Sequence, residues 1–80
     1  MNPARKEPDV STYSGRCARR LRELRERAGL TVEQVAEALG VSYRAVYHWE
    51  RGTNEPKLDY LPELARLYGL KSPRSVLAPQ

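Results

Sequence analysis

Gly40 stands four residues after Ala36 and six before Val46, and this interval constrains the chain more than any other feature it has. Two helices cross closely when the first offers a small residue, the turn between them takes a glycine, and the second places a β-branched side chain in the shared interior. Val35, Leu39, Val41 and Trp49 supply the other inward positions of the window from Val32 to Arg51. Thr31 and Gln34 have the spacing of a capping box that opens the first helix, and Ser42 is a suitable N-cap for the second. The second helix, 42–50, then turns Tyr43, Arg44, Tyr47 and His48 away from Val46 and Trp49. The arrangement predicted over 32–51 is a helix-turn-helix, whose second helix is placed to enter the major groove of a duplex.

The rest of the chain supports two further full stripes. Cys17, Ala18, Leu21, Leu24 and Ala28 recur at helical spacing and stop at Gly29, with Arg16, Arg19, Arg20, Arg22, Arg25 and Arg27 on the other face. Pro62 suits the first turn of a helix carrying Leu61, Leu64, Ala65 and Tyr68, which Gly69 ends. Ser72-Pro73 opens a last short helix with Val76 and Leu77, cut off by Pro79. Residues 1–14 hold Pro3, Pro8, Ser11, Thr12 and Ser14 with little that is apolar, and read as a mobile tail. Neither an alternating strand pattern nor an internal repeat occurs. The expected fold is all-α, a compact five-helix bundle over 15–78 with a helix-turn-helix at 32–51.

Size and composition exclude much else. An 80-residue chain makes one small domain, burying about 60 % of the surface exposed by its unfolded form. Cys17 has no second cysteine to bond, and a single histidine completes no zinc site. Neither a phosphate-binding glycine loop nor a nucleophile–base spacing occurs, so no enzyme, cofactor or metal is expected. The first residues contain no apolar signal region and no run is long enough to cross a bilayer, which points to a soluble, cytoplasmic protein. Net charge is +4, and eleven of the fourteen basic residues are Arg. The planar Arg fork matches phosphate and the guanine edge, so nucleic acid is the leading partner, with a coding bias toward Arg as the alternative.

With these residues in view, LRELRERAGLTVEQVAEALGVSYRAVYHWERG resembles the XRE family, the helix-turn-helix domains of lambdoid phage repressors and Cro. The resemblance covers about residues 16–70, and YLPELARLYGL looks like the fourth helix of such repressors. It implies a five-helix DNA-binding domain of the lambda-repressor-like type, acting as a homodimer on a palindromic operator. It also implies an Arg-to-Glu pair between helices one and three, which falls on Arg25 and Glu50. Val32 departs from the pattern. Many members have Gln there, bonded to a phosphate, and in this chain that role passes to a backbone N–H or is absent.

A reading helix enters the groove by its N-terminal end, which assigns Tyr43, Arg44, Tyr47 and His48 to base edges. Arg44 is the main candidate, by a fork onto guanine, with a phosphate clamp as its alternative. Tyr43 and Tyr47 either meet a thymine methyl or donate to a phosphate, or are half-buried aromatics at a subunit contact or on helix two. His48 either donates to guanine or phosphate or faces solvent. Thr31, Arg51, Thr53, Asn54 and Lys57 flank the helix as phosphate contacts. Arg16 and Arg19 either touch DNA or form a solvated face with Glu23 and Glu26, and Arg5 and Lys6 either reach a minor groove or do nothing there. Leu70, Val76 and Leu77, with exposed parts of helix four, are the candidate dimer surface, while Cys17 and Trp49 read as core. The expected function is a sequence-specific transcriptional regulator, a repressor, of the phage Cro-like, restriction–modification controller or antitoxin kind. The alternative is an adaptor or antitoxin whose helix-turn-helix binds a protein partner and DNA only weakly.

Overall fold

A computed structural model describes residues 8–77. The chain runs through α1 (Tyr13–Arg27), α2 (Val32–Leu39), α3 (Tyr43–Arg51), a 3-10 turn (Leu58–Tyr60) continuous with α4 (Leu61–Leu67), and a second 3-10 turn (Pro73–Leu77). No strand forms among the described residues. The apolar stripes meet in one core of Leu21, Leu24, Val35, Ala36, Val46, Trp49, Leu61, Leu64, Ala65, Tyr68 and Val76. α3 packs on both α1 and α2, while the second 3-10 turn packs on α4 and α1, so every element touches the same interior.

Two expectations are corrected. The described residues contain four α-helices, not five: the segment after Ser72 forms a 3-10 turn. Five residues suffice for i→i+3 bonds and little else, and Ser72 starts them by accepting from Ser75 through its carbonyl at 3.0 Å and from Arg74 through its hydroxyl at 3.2 Å. Val76, expected on a dimer surface, is 0 % exposed and part of the core. An apolar residue in a short turn gave no periodicity from which its side could be read.

The segment expected as a tail divides. Residues 1–7, including Arg5 and Lys6, lie outside the described residues. Residues 9–12 form a turn that caps α1. The Asp9 carboxylate accepts from the Ser11 N–H at 3.0 Å and its hydroxyl at 2.6 Å, and these bonds hold its pKa below the usual value. Thr12 Oγ1 donates to the Asp9 carbonyl at 2.8 Å and accepts from the Gly15 N–H at 2.9 Å, the bond an N-cap makes. Gly15 is required by close approach: a Cβ there would collide with the Asp9 carbonyl. Arg16 closes the turn by donating to the Val10 carbonyl at 3.3 Å.

Candidate nucleic-acid interface

α2 begins with a complete capping box, Gln34 N–H donating to Thr31 Oγ1 at 3.1 Å and Thr31 N–H to Gln34 Oε1 at 2.8 Å. Gly40 ends it at φ 73°, a left-handed conformation that costs any side-chain-bearing residue free energy and that lets the Val41 N–H reach the Ala36 carbonyl at 3.0 Å. Ser42 Oγ then accepts from the Ala45 N–H at 3.3 Å and starts α3. Val35 and Ala36 on α2 and Val46 and Trp49 on α3 are buried where the two helices cross. Val32 is half-buried and packs against the core, so its side chain belongs to the interior.

The orientation of α3 is fixed from α1. Arg25 donates from Nε to Glu50 at 2.7 Å and from a second nitrogen at 3.0 Å, a bidentate pair, while its remaining terminal nitrogen donates to the Leu30 carbonyl at 2.9 Å. One side chain thus ties the end of α1 to α3 and to the residue before the cap of α2. The carboxylate pushes the Arg25 pKa further up, against the opposing effect of burial. Glu50 is the buried charged residue of the core, 6 % exposed. Tyr68 lies in the same interior, and burial, with the Glu50 charge second, raises its phenol well above the ordinary value. Next to Glu50 on the buried side of α3, the rings of Trp49 and Tyr60 pack at 5.6 Å and 38°, joining α3 to the 3-10 turn before α4.

With that face of α3 anchored, its other face is exposed. At about 100° per residue, Tyr43, Tyr47, Arg51, Arg44 and His48 fall within an arc of about 140°. Tyr43 is 53 % and Tyr47 42 % exposed, Arg44 is exposed, and His48 and Arg51 are half-buried. Arg51 lies over the Tyr47 ring. Thr53, Asn54 and Lys57 follow on an exposed loop, whose first turn is held by the His48 carbonyl accepting from the Thr53 N–H at 3.1 Å. Thr31, exposed at the start of α2, keeps its hydroxyl hydrogen free to donate, since the cap uses only the oxygen. The fold therefore gathers the four base-reading candidates on one helix face, with Arg51 on the same face.

The α1 arginines are used differently. Arg16 binds the N-terminal turn, Arg20 donates to the Ser75 carbonyl at 2.8 Å in the last turn, and Arg19 pairs with Glu23 at 3.6 Å on the exposed surface. Sequence reasoning missed the ties of Arg16 and Arg20, whose partners are main-chain carbonyls and carry no residue signature. It also missed Leu58, at 74 % exposure the most open of the large apolar side chains among the described residues, and the i,i+4 contact of Tyr47 with Arg51. Leu70 and Leu77 are half-buried against the core. Cys17 is buried, its thiol 3.4 Å from the Leu77 carbonyl. Among the described residues no cluster of His, Cys, Asp and Glu could hold a metal, and no helix is long and apolar enough to cross a membrane.

A family model described as a helix-turn-helix domain matches residues 16–77. The chain belongs to this helix-turn-helix domain family. Within it, the chain is 37 % identical over 51 residues to the cryptic phage CTXphi transcriptional repressor RstR of Vibrio cholerae, covering 64 % of this chain and 46 % of that protein. It is 45 % identical over 49 residues to the uncharacterized HTH-type transcriptional regulator YobD of Bacillus subtilis, 61 % of this chain and 44 % of that one. The chain thus spans less than half the length of these curated relatives. Among solved structures, the restriction-modification controller protein C.AhdI of Aeromonas hydrophila superposes with a TM-score of 0.67 at 33 % identity, over 76 % of this chain and 91 % of the controller.

Proposed function

We propose that this chain is a sequence-specific double-stranded DNA-binding transcriptional regulator, a repressor, that reads the major groove with helix 42–50 as a homodimer. The observation that carries the reading is the two-sided character of α3. One face is anchored by Val46, Trp49 and the Arg25–Glu50 pair, and the opposite face offers aromatic rings, an imidazole and two guanidinium groups. A rigidly held helix with donors on its free face is what base readout requires. Tyr43, Arg44, Tyr47 and His48 are the proposed base readers, with Arg51, Thr53, Asn54, Lys57 and Thr31 on phosphates. The regulator and repressor names of the relatives support the same assignment, as does the naming of C.AhdI as a controller protein.

A single reading helix specifies only a few base pairs, so two copies on adjacent half-sites are proposed. Leu70 and Leu77 remain candidates for the contact between copies, and Leu58 joins them on its exposure. Arg44→Ala tests the base assignment. It is expected to cost about 1–3 kcal/mol on the preferred duplex and to remove the preference at one base pair of each half-site. Equal weakening on every sequence would instead make Arg44 a phosphate contact and overturn its role as a reader.

A further inference from the structure

Arg51 is the last residue of α3, and its guanidinium carbon lies 5.0 Å from the centroid of the Tyr47 ring one turn earlier. Its Nε is shielded from solvent and has no hydrogen-bond partner among the described residues. The adjacent carboxylate does not serve it, because both oxygens of Glu50 are bound by Arg25. Glu55, four residues on, accepts from the Ser14 hydroxyl at 3.4 Å. The partner of this cation is therefore an aromatic face, a favourable contact for the weakly hydrated, planar guanidinium.

Such stacking has two consequences. It fixes the plane of the guanidinium, so less rotamer freedom is lost when the outer N–H groups capture an anion. It also takes up one face of the Tyr47 ring, which no base can then pack against. The pair stands at the C-terminal end of a helix that enters a groove by its N-terminal end, where the helix rises toward the sugar–phosphate strand. The exposed Thr53, Asn54 and Lys57 follow directly.

We propose that Tyr47, in place of the base-reading role given to it above with its neighbours on α3, is a positioning residue: its ring holds Arg51 as a pre-oriented clamp for one backbone phosphate, and base reading falls to Tyr43, Arg44 and His48. The proposal rests on the reading of α3 as the DNA-reading helix. It is tested by titrating wild type, Tyr47→Phe, Tyr47→Leu, Arg51→Ala and the double variant Tyr47→Leu/Arg51→Ala on the duplex that wild type selects, over a range of salt. Melting curves check that each variant folds.

Arg51→Ala is expected to lower the slope of log affinity against log salt by about 0.9, the value for one phosphate. Tyr47→Phe, which keeps the ring, should stay within about twofold of wild type, and Tyr47→Leu should weaken binding about 2–5-fold, with base preference unchanged in both. In the Arg51→Ala background, Tyr47→Leu should add almost nothing. Additive losses, or a changed base preference in Tyr47→Phe, would overturn the proposal while leaving the DNA-reading function intact. A wild-type chain that selects no duplex would reject that function and this proposal together.

Discussion

At the scale of single residues, the composition carried two messages that the structure separates. An Arg-rich chain points to phosphates, yet Arg16, Arg20 and Arg25 are bound within the fold, the first two to carbonyls and the third to Glu50. The Arg25–Glu50 pair could be placed from the sequence only through a family resemblance, because neither spacing nor periodicity links positions 25 residues apart. Its energetics are lopsided. A buried ion pair contributes little over a well-packed apolar pair, but removing one partner strands the other charge, at about 3–5 kcal/mol. Glu50→Ala is therefore expected to lower stability in urea titrations by about 3 kcal/mol or more, a large share of what so small a domain has. Arg25→Met combined with Glu50→Leu should recover most of that loss. A Glu50→Ala loss below about 1 kcal/mol would show that Arg25 finds another partner or water, and that the pair does not set the angle of α3.

At the scale of elements, the helices were legible where apolar periodicity ran for two turns or more, and the ends of the chain were not. α2, α3 and α4 bury Val35 and Ala36, Val46 and Trp49, and Leu61, Leu64 and Ala65 as expected, while Val32, Leu39 and Val41 are half-buried; start signal, glycine stop and stripe agree there, the start being a capping box in α2, Ser42 in α3 and Pro62 in α4. Residues 9–12 cap α1, which composition could not show, because Asp, Ser, Thr and Pro are both the composition of mobile tails and the chemistry of caps. What decides between them is Gly15, whose missing side chain lets the Asp9 carbonyl lie against α1. A glycine inside a helix is ordinarily improved by alanine, by about 0.5–1 kcal/mol. Gly15→Ala should here do the opposite locally, lifting residues 9–12 and opening the Thr12 cap. Hydrogen exchange at Thr12 and Gly15, and protease cleavage before Tyr13, should both speed up. A variant more stable than wild type with unchanged exchange at those amides would contradict this account of the turn.

At the scale of the whole molecule, one core holds all the described elements and leaves the side of α3 that carries Tyr43, Arg44 and Tyr47 open to solvent. The candidate site was legible as a set of residue types on the outward side of α3. The partition of roles was not, since an i,i+4 contact between Tyr47 and Arg51 is only one of several packings open to those side chains. Nor was the candidate dimer surface, since of Leu70, Val76 and Leu77 expected there, Val76 lies in the core. The central claim is that two such domains read a duplex together, and the most direct test is selection of bound sequences from random duplex DNA. The winner is then titrated against a scrambled control at two salt concentrations. The account predicts a palindrome with half-sites about 10–10.5 base pairs apart, bound about 10³-fold or more tighter than the control at both salts. No recurring sequence, with binding that disappears as salt rises, would contradict it and reduce the interaction to net charge.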